Sequence, residues 1–232
     1  MLTRLLSLLL TMLSLGQSAV DGYVNEMNLG ENLFLVNRRF TVSADYVPPD
    51  LTVPKVRGSG EHTRMRKEAA AALEELFAAA EKDGYTLYAV SGYRSYGQQR
   101  GIHQRRVAQI GKKEAMRVSA PPGASEHQLG LAMDLGCKGA LHLTEKFGAL
   151  PEGVWVAENC HRFGFIIRYK AEWEAITGYK YEPWHIRYVG KEHARRIRDM
   201  DLPFETYVSL LQEAKFALMT GEKEGSSSLS ND

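Results

Sequence analysis

One short stretch of the chain pairs a histidine with a carboxylate in an unusual setting. In SEHQLGLAMDLG (125–136), His127 and Asp134 form an H-x6-D pattern, and Asp134 lies in the otherwise apolar run 129–135. This run predicts a buried strand, where a carboxylate is costly unless it is paired or bound to a cation. The sequence therefore predicts a positively charged partner for Asp134.

A second stretch, YEPWHIRYVG (181–190), supplies another histidine and another carboxylate, Glu182 and His185. Two imidazoles and one carboxylate are the ligands of an open catalytic zinc site, which keeps water in its fourth position. Pro183 follows Glu182 and favours a turn, which lets Glu182 face the metal without binding it. A carboxylate in that position can take a proton from the water and pass it to a leaving amine.

Each of these side chains, taken singly, also fits an ordinary structural role. His127 fits a surface loop, Asp134 fits a cap on the turn at Gly136, and Glu182 fits an exposed position before an edge strand. Such spacings arise by chance in many proteins. The chemistry therefore depends on whether the stretches meet in space.

Three blocks of the sequence together resemble the signature blocks of the VanY-type zinc D-alanyl-D-alanine carboxypeptidases. They are SGYRSYGQQ (91–99), SEHQLGLAMDLG and YEPWHIRYVG, in the order that the family has them. The resemblance implies a Hedgehog-type and lysostaphin-type peptidase fold, with one Zn²⁺ per chain. It assigns zinc binding to His127, Asp134 and His185, and the role of catalytic base to Glu182.

The same resemblance implies roles in holding the substrate. Arg94 matches an arginine that holds either the terminal carboxylate of the peptide or the developing oxyanion, and both suit a guanidinium fork. Gln98 and Ser125 match positions that hydrogen-bond the peptide, although Ser125 also fits a cap on the turn before His127. Trp184, in the E-x-W-H block, is assigned to the substrate site.

The pattern of elements predicts an α+β fold: a single domain with a small, largely antiparallel sheet flanked by helices. The alanine-rich segment before Gly84 predicts a helix, and YTLYAVSGYRS predicts a strand that ends in a turn. The predicted organisation is a signal peptide or membrane anchor (1–19), an extended arm (20–60), the zinc peptidase domain (61–216) and a polar tail (217–232). The composition of the tail is typical of disorder.

The first residues, MLTRLLSLLLTMLSLGQSAV, resemble a secretory leader, with one early cation and a short leucine-rich run. An uncleaved membrane anchor is the alternative, and either predicts an exported protein associated with the cell wall or the membrane. Cys137 and Cys160 then lie in an oxidising compartment. They fit one disulfide or two buried thiols.

The charge balance excludes a nucleic-acid binder, because 29 Lys+Arg against 28 Asp+Glu leave a net charge of +1. We therefore expect a monomeric zinc D,D-carboxypeptidase that removes the terminal D-alanine from peptidoglycan stem peptides. An L,D-carboxypeptidase and a D,D-dipeptidase of the same fold are the nearest alternatives. A non-catalytic, metal-containing wall-binding module is the alternative from another class.

Overall fold

The computed structural model describes the backbone of residues 29–226, with the side chains of 29–216 apart from Glu31. The predicted signal peptide or anchor lies outside the described residues. Residues Leu35–Tyr207 form one compact unit, and the described residues 29–34 and 208–226 belong to a second unit. None of the described helices is both long and apolar enough to cross a membrane.

The described part of the chain contains seven α-helices and six β-strands, joined by turns and short 3₁₀ segments. The helices are α1 Lys67–Lys82, α2 Tyr96–Ile110, α3 Lys112–Val118, α4 Pro151–Asn159, α5 Glu174–Thr177, α6 Lys191–Met200 and α7 Phe204–Ser226. The strands are β1 Leu51–Thr52, β2 Met65–Arg66, β3 Leu87–Ser91, β4 Ala132–Cys137, β5 Phe165–Ile167 and β6 His185–Tyr188. Helix α7 thus continues into the segment predicted as a polar tail.

The central sheet has the strand order β3-β4-β6-β5, and every neighbouring pair is antiparallel. β1 and β2 form a separate two-stranded ribbon. With helices beside a small antiparallel sheet, the α+β fold predicted from the sequence is confirmed.

Strand alternation gives the central sheet one apolar and one polar face. On β4 and β6, Met133, Leu135 and Ile186 are completely buried and point to the apolar face. Asp134 and His185 belong to the opposite face, where Arg187 also lies. The polar face therefore holds every candidate ligand that comes from a strand.

Helix α1 covers part of the core because its alanines and leucines repeat at helical spacing. Leu73, Leu76 and Ala80 on this helix are fully buried, and each buried leucine contributes about 1.5–3 kcal/mol of transfer free energy. Asp83, which caps the helix end, accepts a 2.9 Å hydrogen bond from the Trp155 indole of α4. This contact links the two helices.

The run 129–135, predicted as one strand, divides into two structures. Residues Glu126–Leu129 form a 3₁₀ turn, and the strand begins only at Ala132. Gly130 lies between them with φ +66°, and a Cβ there would come within 2.8 Å of the Leu51 side chain. Glycine is needed at this position both for its conformation and for its small size.

Candidate metal centre and active site

The antiparallel register of β4 and β6 places two of the predicted ligands side by side. Asp134 lies directly opposite His185, and residues in that relation have neighbouring side chains on the same face. The Asp134 Oδ1 atom is 3.0 Å from His185 Nδ1. Pairing between strands that are distant in sequence therefore brings together two of the three predicted ligands.

The 3₁₀ turn brings His127 to the same point. Its Nε2 atom is 3.3 Å from Asp134 Oδ1, and its ring centroid is 4.9 Å from that of His185. One ligand atom from each of the three residues lies within 4.8 Å of the others, and all three residues are buried. We call His127, Asp134 and His185 the ligand cluster.

The tautomer of His127 is set by a backbone carbonyl. His127 Nδ1 donates to the Gly92 carbonyl oxygen at 2.7 Å, which leaves Nε2 with its lone pair. A Cβ at Gly92 would stand 2.5 Å from the Arg64 carbonyl oxygen, so only glycine fits here. The strand-end glycine thus allows the carbonyl to orient the histidine.

The donor set and its spacing fit a zinc ion. His127 Nε2 is buried and has no hydrogen-bond partner in the described part of the chain; its 3.3 Å approach to Asp134 does not make a hydrogen bond. Donor atoms bound tetrahedrally to Zn²⁺ at about 2.0–2.1 Å are about 3.3 Å apart, close to the 3.3 and 3.0 Å that separate Asp134 Oδ1 from His127 Nε2 and His185 Nδ1. Nitrogen and carboxylate donors in this number are those of a catalytic zinc site.

The two histidines differ in protonation. Burial lowers the pKa of His127 to about 4, and the charge of Arg94 acts in the same direction. Burial also tends to lower the pKa of His185, but its hydrogen bonds to Asp134 and Glu126 outweigh this and raise the pKa to about 9. A metal that binds His185 Nδ1 therefore displaces a proton, as is usual for histidine ligands.

Glu182 stands beside the ligand cluster on the predicted turn. Its carboxylate Oε2 is 4.0 Å from His185 Nδ1, and its backbone N–H is held by the Tyr169 carbonyl at 3.0 Å. Burial raises the pKa of Glu182 to about 7; the His185 charge opposes this shift and the Asp134 charge adds to it. A carboxylate with a pKa near neutrality is well matched to take up and release a proton.

Arg94 reaches the cluster from the loop after β3. Its Nη2 atom is 3.5 Å from Asp134 Oδ2, while Nη1 donates to Gln99 Oε1 at 3.0 Å. The Gln99 side chain in turn donates to the Ala120 carbonyl at 2.7 Å. Gln99 is buried and aligns the guanidinium toward the metal site.

Gln98, which the sequence assigns to the peptide, lies elsewhere. Its side chain accepts from the Ser95 N–H at 2.8 Å and completes the capping box at the start of α2. It is exposed and does not line the cavity, whereas the adjacent Gln99 does. The two glutamines differ in this way because consecutive helical positions point about 100° apart.

A cavity of about 320 Å³ opens over the ligand cluster, Glu182 and Arg94. Ser125 and Trp184, for which substrate contacts are predicted, both line it. The Ser125 side chain does not cap the turn that follows it, so its hydroxyl is not engaged in a capping hydrogen bond. Ile102 and Leu143 contribute apolar side chains to the wall of the cavity.

Behind the ligand cluster lies a second group of charges that the sequence analysis missed. Glu126 Oε1 accepts from Arg168 Nε at 2.7 Å and from Arg187 Nη1 at 3.0 Å, and all three side chains are 0% exposed. Arg168 also binds both oxygens of Glu205, at 2.6 and 2.9 Å. We call Glu126, Arg168, Arg187 and Glu205 the charge cluster.

A signal for the charge cluster was present in the sequence. Arg168 follows the apolar FII of β5, and Arg187 lies inside β6. A charge in a buried strand needs a partner, by the same reasoning that singled out Asp134. Glu126 stands next to His127 within the signature block.

The two cysteines do not form a disulfide. Cys137 and Cys160 are both free and buried. Burial raises the pKa of Cys137 to about 11 and that of Cys160 to about 12. The alternative of two buried thiols, left open by the sequence, is the one found.

The fold and the site together define the class of protein. Two histidines and an aspartate with open access, a buried carboxylate of near-neutral pKa and an arginine in the same cavity are the machinery of a zinc-dependent hydrolase. The comparisons with known proteins identify the kind of hydrolase.

The model of the VanY family of D-alanyl-D-alanine carboxypeptidases matches residues 62–191. The chain belongs to this family and is a peptidase. The Bacillus subtilis protein YodJ, named as a carboxypeptidase, is 47% identical over 193 residues, which are 81% of this chain and 71% of YodJ.

Two solved structures are similar throughout the peptidase fold. The LD-carboxypeptidase LdcB superposes with a TM-score of 0.72 at 47% identity and covers 77% of this chain and 86% of its own. A variant of VanY, a D,D-pentapeptidase from a VanB-type vancomycin resistance cassette, superposes with a TM-score of 0.66 at 35% identity. The match covers 77% of this chain and 99% of the VanY chain. That structure contains Zn(II), and the donor set found here makes zinc the cofactor of this chain as well.

Proposed function

We propose that the chain is a zinc-dependent D,D-carboxypeptidase that removes the terminal D-alanine from peptidoglycan stem pentapeptides. The observation that carries the proposal is the placement of Glu182 and Arg94 on the cavity that exposes the ligand cluster. When bound, Zn²⁺ supplies Lewis acidity and lowers the pKa of water. The chain itself supplies the proton transfers and the binding of the peptide end.

Glu182 is the proton carrier in this proposal. It takes one proton from the attacking water, whose oxygen forms the new bond to the peptide carbonyl carbon. It then delivers that proton to the nitrogen of the departing D-alanine as the C–N bond breaks. Its buried position and its pKa of about 7 suit both halves of the exchange.

Arg94 holds the charge at the peptide end. Zn²⁺ and Arg94 bring three positive charges to a site where Asp134 and ionised Glu182 supply two negative ones. One substrate carboxylate restores the balance, which favours a free C-terminus over the interior of a peptide. Gln99 keeps the guanidinium in place for this contact.

L,D-carboxypeptidase activity on stem tetrapeptides is the second candidate. The observation that favours it is the likeness to LdcB, which has the higher identity and TM-score of the two solved structures described above. The two activities use the same zinc chemistry and both release D-alanine. They differ in the residue that precedes the cleaved bond.

The deciding experiment supplies the zinc-loaded protein with a stem pentapeptide, a stem tetrapeptide and free D-Ala-D-Ala, and measures D-alanine released from each. Release from the pentapeptide supports the D,D-carboxypeptidase, and release from the tetrapeptide alone supports the second candidate. Cleavage of the free dipeptide alone identifies a dipeptidase. Release from none of the three by zinc-loaded protein would overturn the proposal in favour of a wall-binding module.

We further infer that the chain works as a monomer outside the cytoplasmic membrane. The leader-like first residues support export, and all proposed catalytic groups lie within one chain. Cell fractionation with an antibody, and size-exclusion chromatography with light scattering, test the two statements separately. Recovery in the cytoplasm, or as a dimer, contradicts the corresponding one.

A further inference from the structure

Glu126 is a completely buried carboxylate that the proposed proton transfers do not use. Its two oxygens face different neighbours. Oε1 accepts from Arg168 at 2.7 Å and from Arg187 at 3.0 Å, whereas Oε2 is 3.2 Å from His185 Nε2. The carboxylate therefore bridges the charge cluster and one metal ligand.

The two ring nitrogens of His185 have different surroundings. Nδ1 faces Asp134 and the ligand cluster, at 3.0 Å from Oδ1, and Nε2 faces Glu126. An ionised carboxylate can only accept a hydrogen bond, so Nε2 must carry the hydrogen. A neutral His185 then has its lone pair on Nδ1, on the side of the metal.

The arginines keep Glu126 ionised and fixed in orientation. Arg168 and Arg187 are both 0% exposed, and Arg168 is anchored by the two oxygens of Glu205. The four residues carry two positive and two negative charges, so the cluster is neutral without His185. Glu126 can thus serve His185 as an acceptor without needing a positive charge on its ring.

We propose that Glu126 is a positioning residue for the metal: it fixes the tautomer and the ring orientation of His185 so that Nδ1 is presented to zinc. The arginines are the support that holds Glu126 in this role. Carboxylate partners of histidine ligands commonly act in this way, and their loss typically weakens metal binding about 10–100-fold.

The substitution Glu126→Gln tests the proposal because it alters the hydrogen-bond pattern and little else. Both arginines donate to Oε1, so the amide oxygen must occupy that place and the NH₂ group must face His185 Nε2. The amide then donates to Nε2 and shifts the ring hydrogen to Nδ1, where it blocks the metal. We expect zinc affinity, measured by competition with a chromophoric chelator, to fall about 10–100-fold.

Glu205→Gln is the matched control, since it alters the same network without touching His185. Both substitutions disturb Arg168, and both are expected to lower the unfolding free energy of the metal-free protein. If Glu126 were merely structural, both variants would lose stability and keep their zinc affinity. Unchanged affinity in folded Glu126→Gln, or an equal loss in both variants, overturns the proposal.

A spectroscopic measurement on the unaltered protein tests the assigned tautomer even if Glu126→Gln does not fold. Long-range nitrogen–proton NMR spectra of the zinc-loaded protein, with isotope-labelled histidine, report which ring nitrogen carries hydrogen. We expect His185 to be protonated at Nε2 and bound to zinc through Nδ1. The reverse assignment contradicts the proposal.

This inference rests on the zinc site of the proposed function and not on the peptide cleaved. Neither the affinity nor the NMR measurement uses a substrate. A protein that binds zinc through His185 Nδ1 but releases no D-alanine would remove the proposed function and leave the role of Glu126 intact.

Discussion

The ligand cluster and the charge cluster lie on the same face of the sheet and meet at His185, which belongs to the first and contacts the second. They differ in how completely their polar atoms find hydrogen-bond partners. In the charge cluster every oxygen of Glu126 has a close donor, and the formal charges cancel. In the ligand cluster, His127 Nε2 has no hydrogen-bond partner among the described residues, and the carboxylate of Glu182 lies close by, with its Oε2 atom 4.0 Å from His185 Nδ1. Protein atoms alone satisfy the first group, whereas the second keeps one buried nitrogen with a lone pair that a cation can bind.

The two clusters therefore differ in how far protein contacts offset the loss of solvation that burial of charge causes. A buried ion pair loses solvation and recovers it only if its geometry is good, and the charge cluster shows that geometry. In the ligand cluster, part of the lost solvation energy is not recovered by protein contacts, and the cluster opens onto a cavity. We expect substitutions in the ligand cluster and at its edge to affect chemistry, and substitutions in the charge cluster to affect stability as well.

Glu182→Gln should give the largest effect on chemistry. The amide cannot carry the proton, so kcat should fall about 10²–10⁴-fold, the usual contribution of a general base. Zinc content should stay at one per chain, because Glu182 is not in the ligand cluster. Turnover and metal analysis on the same preparation check this, and retention of most of the turnover would show that another group is the base.

Arg187→Met should give the largest effect on stability. Breaking a buried ion pair from one side typically costs about 3–5 kcal/mol, and Arg187 is completely buried against Glu126. The matched control is Arg196→Met, whose pair with Glu192 is 51% and 63% exposed, and exposed pairs contribute about 0.2–1 kcal/mol. Urea unfolding of the metal-free proteins measures both, and equal losses would contradict the distinction drawn here.

Removal of zinc should have an intermediate effect. At a free zinc concentration of about 100 times the dissociation constant, binding to the folded state adds about 2.7 kcal/mol. Chelation should therefore lower the melting temperature while the far-UV circular dichroism spectrum stays the same, because the charge cluster and the core are satisfied without metal. Loss of helix and strand signal on chelation at room temperature would show that the fold itself requires the ion.

The adjacent glutamines should give the smallest effects and separate capping from positioning. Gln98→Ala removes the partner of a helix cap and should lower the unfolding free energy by about 0.3–1.5 kcal/mol, with kcat/KM unchanged. Gln99→Ala removes a hydrogen bond to a charged group, worth about 1.5 kcal/mol, and should lower kcat/KM about tenfold through Arg94. Urea unfolding and steady-state kinetics on both variants check this. A loss of kcat/KM in Gln98→Ala but not in Gln99→Ala would support the substrate contact predicted for Gln98.

Sequence reasoning located the ligand cluster because its signal is local. A carboxylate in an apolar run, two histidines and a carboxylate before a proline are all visible in short stretches, and the family motifs gave their order. The same reasoning placed Gln98 in the substrate site, one position away from the residue that lines the cavity. It also missed Glu126, whose partners Arg168 and Arg187 come from two other strands or strand ends.

The sequence by itself determined the donors: which residue types are available, that two histidines and an aspartate suit zinc, and that a further carboxylate, Glu182, lies three residues before His185. Only the tertiary structure decided how the donors face one another. The register of β4 against β6 sets Asp134 opposite His185, the Gly92 carbonyl selects Nε2 of His127, and Glu126 faces Nε2 of His185. These relations depend on backbone hydrogen bonds and ring orientations between residues far apart in the chain, which residue types do not encode locally.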